Sequence, residues 1–293
     1  MKKKSLDLSN QIDALTLGIF QSLVEVTHRL NMPCFVVGAR VRDMILTDGY
    51  GIKTGRATTD VDFGVMLANW EDFYQLKKAL IASQHFFSSK IMHRLKYKNI
   101  MPIDIVPFCA ISGPDSLLSW PPKYEQKMSV LGFKEAYEHS LSVKIQAEPT
   151  LYISCASLAG LALMKIVSWH DGSDRATKDA EDLALILCNY LDAGNRERLY
   201  EAESDLIEDD FDYVQSGARL LGRDIARMLS DDTRNQIITI LDRETQLETY
   251  GKLVHDITKN KPYFYDDSEN DFGENLKLIE NLKKGLQEKH HSE

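Results

Sequence analysis

Three acidic residues carry the strongest chemical signal in this chain: Asp60 and Asp62 in the run Thr-Asp-Val-Asp-Phe (59–63), and Asp104 inside Pro-Ile-Asp-Ile-Val (102–106). In an extended strand residues i and i+2 face the same way, so Asp60 and Asp62 project together while Val61 and Phe63 turn to the core. Two parallel carboxylates repel each other. A divalent cation between them removes that repulsion, and Mg²⁺ takes such a set: hard oxygens, few protein ligands, substrate phosphates completing the octahedron. Asp104 is a lone carboxylate among apolar neighbours, and a buried charge needs a partner. Either a metal shared with Asp60 and Asp62 or a structural Arg or Lys would serve. Asp-x-Asp alone is common on exposed edges, but Val36-Val37-Gly38-Ala39 lies upstream. A strand running into glycine and then a helix lets backbone N–H groups approach a triphosphate with no Cβ in the way.

The elements that must position these residues can be read from periodicity. Apolar residues at Ile12, Leu15, Ile19, Leu23, Val26 and Leu30 recur every three or four positions and predict a helix within 8–30, with Ser9 or Asn10 as its cap. A short strand follows at 34–37, then a helix at 41–46, and a loop at 47–59 with three glycines. Strands are predicted at 61–67 and 103–107, a helix at 72–82, and a half-exposed strand at 140–146. After Pro149 helical patterns dominate 155–169, 174–192, 195–206, 214–229, 231–248 and 273–288, with a disordered tail expected from Lys289. The expected fold class is α+β, a small mixed sheet flanked by helices over 1–150, followed by a helical domain over 151–293. The apolar stretch 151–169 contains Ser154, Ser157, Gly160 and Lys165, which reads as a buried helix rather than a membrane span.

The 293 residues hold 35 Lys and Arg against 44 Asp and Glu, a net charge of −9. That is not the balance of a protein that coats nucleic acid through bulk charge. The charge is unevenly divided, net +3 over 1–150 and −12 over 151–293, which suggests two units with different tasks. Cys34, Cys109, Cys155 and Cys188 show no Cys-x-x-Cys spacing and read as reduced core residues in a cytoplasmic protein. Lys2, Lys3 and Lys4 are followed by a polar segment, without the apolar stretch of a secretory signal. His85, His93, His139 and His170 lack ligand spacing and read as structural or surface residues, and Trp70, Trp120 and Trp169 as packing anchors. The acidic run 201–212 reads as a solvated face, or else as a docking surface for a basic partner.

Gly38, the Asp60-Val61-Asp62 pair and the single Asp104 together resemble the DNA polymerase beta-like nucleotidyltransferase superfamily. GARVRDMIL (38–46) is similar to the G-G-x-V-R-D-x-L-L opening of CCA-adding enzymes and poly(A) polymerases. GRATTDVDF (55–63), SLAGLALMKIVSW (157–169) and RATKDAEDLALIL (175–187) resemble the AbiEii-type nucleotidyltransferases, toxins of type IV toxin–antitoxin systems. The resemblance is specific over 35–67, moderate over 103–108 and 157–187, and loose elsewhere. It departs at the phosphate turn: the superfamily usually carries Gly-Ser or Gly-Gly, and this chain has Gly38-Ala39, which offers backbone geometry without a hydroxyl.

The resemblance implies a fold, a polymerase beta-like core, and a reaction, in-line attack of an acceptor hydroxyl on the α-phosphate of an NTP with release of pyrophosphate. It implies that Asp60 and Asp62 bridge paired Mg²⁺ (or Mn²⁺) ions and that Asp104 holds the catalytic one or acts as general base. Lys165, Lys178 and Asp179, with Arg175 and Asp182, are carried over as nucleotide-binding residues. Arg40, Arg42 and Arg56 lie near the glycine turn and the carboxylates as further candidates, with an Arg42–Asp43 or Arg42–Asp48 ion pair as the structural alternative. The implied acceptor is the 3′ end of a tRNA, and a small antitoxin protein is an implied partner. A protein hydroxyl, a small molecule of the aminoglycoside kind, or a non-catalytic nucleotide-binding role are the alternatives, and no membrane partner is expected.

Overall fold

A computed structural model describes residues 5–55, 58–172, 176–207, 211–246, 251–259 and 271–288. Ten strands are found among them: β1 (Ser5–Asp7), β2 (Cys34–Val37), β3 (Val61–Met66), β4 (Phe86–Ser88), β5 (Arg94–Tyr97), β6 (Met101–Phe108), β7 (Leu117–Ser119), β8 (Lys127–Ser129), β9 (Leu141–Gln146) and β10 (Leu151–Cys155). The helices are α1 (Ala14–Leu30), α2 (Gly38–Asp43), α3 (Trp70–Ala82), α4 (Phe133–Glu138), α5 (Leu158–His170), α6 (Ala176–Asn189), α7 (Tyr213–Met228), α8 (Asp231–Thr245), α9 (Lys252–Lys259) and α10 (Asp271–Gln287). Helix α2 continues directly into a wider π turn, Met44–Gly49. The architecture is α+β. Tertiary contacts divide the chain into one unit of Met1–Gly51 with Arg56–Leu161 and another of Ile52–Gly55 with Ala162–Glu293, the division falling inside α5.

The first unit is built on an eight-stranded mixed sheet in the order β1-β9-β10-β2-β3-β6-β5-β4, beside a small β7–β8 hairpin. Its centre is antiparallel between β2 and β3, parallel between β3 and β6, and antiparallel between β6 and β5. Alternation sorts the side chains. Val61, Phe63, Ile103, Ile105, Leu95 and Tyr97 are buried. Phe63 meets Phe20 of α1 edge-to-face at 6.1 Å. Phe35 on the other face packs against Phe133 and Tyr137 of α4. Burying such side chains contributes about 2 kcal/mol each, which holds the strand ends that carry the acids in register. Asp13, not Ser9 or Asn10, caps α1, accepting from the Thr16 N–H at 2.9 Å. A side-chain oxygen one residue before the helix satisfies an otherwise orphaned donor.

Three sequence expectations are corrected. Residues 151–155 form strand β10, paired antiparallel to β9, and the helix starts only at Leu158. The β-branched Ile153 and the alternating burial of this segment fit a strand beside β9 better than a helix. Residues 195–206 form two short 3₁₀ turns instead of a helix. Strands β4 and β5 and the β7–β8 hairpin are elements that the sequence expectations above leave out.

The second unit is helical. Helices α7 and α10 approach closely because glycines face each other: a Cβ on Gly222 would stand 2.1 Å from the Leu282 carbonyl oxygen, and one on Gly285 would stand 2.0 Å from that of Arg219. The acidic run is not a fully solvated face. Glu203 is buried, and Glu203 and Asp205 both pair with Arg223. Residues 208–210 of that run and the tail from 289 lie outside the described residues. No helix among the described residues is long and apolar enough to cross a membrane.

Candidate active site

A single row of residues crosses four strands of the first unit. Val37 at the end of β2 pairs with Asp62 of β3. Asp62 pairs with Asp104 of β6, and Asp104 pairs with Arg94 of β5. Because residues paired across a sheet project to the same face, Asp62, Asp104 and Arg94 gather on one side. Asp60, two residues before Asp62, joins them just ahead of β3. One carboxylate oxygen from each of Asp60, Asp62 and Asp104 lies within 4.8 Å of the others.

This donor set fits a hard divalent cation. Mg²⁺ binds oxygens at about 2.1 Å, so opposite ligands stand about 4.2 Å apart, the scale of the cluster. Oxygen-only ligation favours Mg²⁺ or Mn²⁺ over softer metals. Asp60 and Asp62 are half-buried, and Asp104 is 4% exposed.

Gly38 closes the row at the β2 end. Its φ is +76°, a conformation that costs a residue with a side chain about 1–2 kcal/mol. A Cβ there would lie 2.1 Å from Asp62 Oδ2. Only glycine therefore lets the chain turn into α2 while the Asp62 carboxylate keeps its place, and the same bareness exposes backbone at the turn. Ala39 follows, half-buried.

At the other end of the row stands Arg94, which sequence reasoning missed. Its Nε donates to Asp104 Oδ1 at 2.7 Å and its Nη2 to Asp104 Oδ2 at 2.7 Å. This is a bidentate, charge-assisted pair. The Asp104 hydrogen bonds raise the Arg94 pKa above its ordinary value against a cost of burial, with the charges of Asp104, Asp60 and Asp62 adding to the rise. Arg94 is thus the structural cation that a lone buried carboxylate demands, and the carboxylate cluster is present as well. Of the two alternatives open from the sequence, the Arg partner is the one observed, and the three carboxylates converge beside it. The signal lies in Arg-Leu-Lys-Tyr (94–97), whose strict polar–apolar alternation marks a half-exposed strand. His93 is a second neighbour that spacing does not reveal: its Nε2 lies 4.0 Å from Asp104 Oδ2.

The remaining candidates take other positions. Arg42 is 3% exposed. Its Nε and Nη2 donate to Asp43 Oδ1 at 3.0 and 2.5 Å, and Thr58 Oγ1 donates to Asp43 Oδ2. The pair ties the helix after Gly38 to the segment leading into Asp60. Arg40 Nη2 donates to Asp13 Oδ2, the α1 cap, at 3.0 Å. Arg56 and Arg175 lie outside the described residues. In the second unit Lys165, Asp179 and Asp182 come together: the Lys165 ammonium is 2.7 Å from each carboxylate, and Ser168 Oγ donates to Asp179 at 2.7 Å. Burial pulls the Lys165 pKa down, but Asp182 and Asp179 outweigh it and hold it above its ordinary value. Lys178 on the same helix as the two acids is exposed.

No protein-family model matches the chain, and no curated protein is detectably similar in sequence. Among solved structures, the antibiotic-resistance factor ANT(2″)-Ia is 12% identical, with 66% of this chain and 98% of that one covered and a TM-score of 0.36. An antigenic nucleotidyltransferase-like protein from Paracoccidioides brasiliensis is 16% identical over 64% of this chain and 88% of that one, with a TM-score of 0.37. The Thermotoga maritima CCA-adding enzyme in complex with tRNA is 13% identical over 95% of this chain and 82% of that one, with a TM-score of 0.27. At such distances these likenesses carry no weight for the chemistry, which rests on the geometry above.

Proposed function

We propose that this chain is an enzyme, a nucleotidyltransferase that moves the NMP portion of an NTP onto an acceptor hydroxyl. The observation that carries this reading is the convergence of Asp60, Asp62 and Asp104 within 4.8 Å beside the glycine turn. The resemblance at 38–46 and 55–63 to polymerase beta-like enzymes supports it, and narrows it to the AbiEii type.

In this reading Asp60 and Asp62 would hold divalent cations, Mg²⁺ or Mn²⁺, and Asp104 would share the one nearest the acceptor. Such ions, when bound, would neutralise triphosphate charge and make an acceptor hydroxyl a better nucleophile at neutral pH. The bare backbone at Gly38 accepts the phosphates. Arg42 and Asp43 hold the turn and the strand start in fixed relation. Arg94 holds Asp104 in one orientation through both oxygens, which suits a ligand more than a general base. A new bond forms between the acceptor oxygen and the α-phosphorus as the acceptor hydroxyl gives up its proton to water. The bond from that phosphorus to the β-bridging oxygen breaks, and pyrophosphate departs with its electron pair. Fixed charge and positioning supply the rate, as is usual for phosphoryl transfer.

We assign the 3′ end of a tRNA as acceptor, on the resemblance to toxin-type and CCA-adding enzymes. A role for Lys165, Lys178 and Asp179 in nucleotide binding belongs to the same reading, as does a basic antitoxin as partner. The test is incubation with each labelled NTP, Mg²⁺ and total tRNA, with Asp60→Ala as control. Label on tRNA that is absent from the control supports the proposal. No transfer and no pyrophosphate release with RNA, protein or aminoglycoside acceptors refutes it, leaving a nucleotide-binding protein of the same fold.

A further inference from the structure

The acceptor's place can be derived from the row of residues, on the reading just given. In phosphoryl transfer the attacking and leaving oxygens lie roughly in line on opposite sides of the phosphorus. Gly38 stands at one end of the row and takes the triphosphate, so the leaving pyrophosphate lies on the β2 side of the carboxylates. The attacking hydroxyl must then come from the far side, past Asp104, where β5 and the residues before it stand.

A cavity of about 410 Å³ opens there, lined among others by Lys90, His93, Trp120, Lys123 and Glu125. It borders the acids directly through His93, whose ring nitrogen is 4.0 Å from Asp104. The His93 ring leans on Trp120 at 5.2 Å. Trp120 is itself fixed against Trp70 and Phe73. The rim is braced from α3, where Lys77 Nζ donates to the Met92 carbonyl at 2.5 Å. Lys90 and Lys123 both line the cavity and are exposed. The surrounding chain is basic: residues 73–103 hold six Lys and Arg and no Asp or Glu, in a protein whose net charge is −9. Its polar members on β5, Arg94 and Lys96, project on the face of the acids, because Leu95 and Tyr97 are buried on the other.

We infer that this cavity is the acceptor subsite and that its ligand is the single-stranded 3′ end of an RNA. Lys90 and Lys123 hold the phosphates of the last nucleotides, and the half-exposed His93 ring, backed by Trp120, offers an aromatic face to the terminal base. Basic grooves with aromatic faces hold single-stranded nucleic acid in this way. The charge disfavours a cationic acceptor: a polyamine-like or aminoglycoside ligand would meet Lys90, Lys123 and Lys96 against the one carboxylate of the lining, Glu125, while Arg94 is paired with Asp104.

The test compares wild type with Lys90→Ala/Lys123→Ala and with a charge-matched control, Lys134→Ala/Lys284→Ala. Transfer kinetics with total tRNA, anisotropy of fluorescein-labelled tRNA across a salt series, and nucleotide affinity are measured for each. The site variant is expected to raise KM for tRNA on the order of tenfold, with kcat and nucleotide affinity little changed. Its log–log salt slope should fall by about 1.4, roughly 0.7 for each single-strand phosphate that is no longer neutralised, while the control matches wild type. Wild-type transfer to tRNA with KM and slope unchanged in the site variant overturns the subsite and leaves the enzyme assignment standing. Transfer to an aminoglycoside or protein hydroxyl and not to RNA overturns the RNA acceptor alone. Failure of wild type to transfer to any acceptor removes the enzyme assignment and the subsite with it.

Discussion

Two clusters of charge in this molecule are built on opposite principles. In the sheet, three carboxylates crowd within 4.8 Å of one another, with Arg94 bonded to one of them. In the helical unit, Arg198, Arg219, Arg223 and Arg227 interleave with Glu203, Asp205, Asp224 and Glu288. Arg198 meets Asp224 at 2.6 Å, Arg227 meets Glu203 at 2.7 Å, Arg223 meets Glu203 at 2.8 Å, and Arg219 meets Glu288 at 2.5 Å. Four acids face four bases there, and the geometry is complete within the fold. Matched networks of this kind fix helices in place. Like charges converging at strand ends repel one another, and on the proposed reading a bound cation would relieve that repulsion.

The contrast can be broken by mutation. Asp62→Ala should abolish transfer, on the order of a thousandfold loss in kcat/KM, because it removes a ligand where charge develops. The protein should keep its fold by thermal denaturation, since the loss of the attraction between Asp62 and Arg94 is set against the loss of its repulsion by Asp60 and Asp104. A fall in Tm of several degrees would place Asp62 with the matched clusters instead. Gly38→Ala comes next. Its Cβ collides with the Asp62 carboxylate, and a shift of about 1 Å at a reacting centre costs about a hundredfold. The left-handed φ adds about 1–2 kcal/mol of destabilisation. Steady-state kinetics and a denaturant titration read both.

Arg94→Met separates the two roles of Asp104. The nearly buried carboxylate loses its partner, which should cost about 3 kcal/mol without metal. Mn²⁺ should then raise the Tm of the variant by more degrees than that of wild type, because the guanidinium no longer competes for Asp104. Equal shifts would mean that Arg94 and the cation use different lone pairs.

The smallest effect on transfer is expected at Glu203→Gln, which leaves rates at permissive temperature unchanged and lowers stability by about 2 kcal/mol. Burial tends to raise the Asp224 and Glu203 pKa values, but hydrogen bonds from Arg198 to Asp224 and from Arg223 and Arg227 to Glu203 hold both below their ordinary values of 3.8 and 4.5. Groups with depressed pKa values contribute stability above the unfolded values and lose it as pH falls through the folded ones. The helical unit should therefore lose stability in acid below about pH 4.5, and Glu203→Gln should flatten that loss in a pH series of thermal melts.

Much of the sheet's centre is legible in the sequence because its signals are local. Asp60-Val61-Asp62 alternates, Gly38 ends a β-branched strand, and Asp104 is conspicuous among Ile103, Ile105 and Val106. Arg94 is harder, since its meaning is a register: it sits opposite Asp104 only because a tight β5–β6 connection sets the pairing, and sequence alone does not show which basic residue a lone acid will meet. His93 has no ligand spacing along the chain, yet the same hairpin brings it to Asp104. The stretch 151–169 misleads because a continuous apolar run looks alike as strand or buried helix; β10 ends at Cys155 and α5 begins at Leu158. The run 201–212 misleads differently. Its acids look solvated along the chain, and it is Arg223, from a helix further on, that folds back onto Glu203 and Asp205.

A titration of Mn²⁺ followed by electron paramagnetic resonance, on wild type and on the near-isosteric Asp62→Asn, with and without a non-hydrolysable NTP analogue, tests most directly whether the acids are a cation site. The wild type should bind Mn²⁺ more tightly when the analogue is present, and the variant should lose at least about tenfold in affinity. Identical Mn²⁺ affinities for the two proteins would contradict the account.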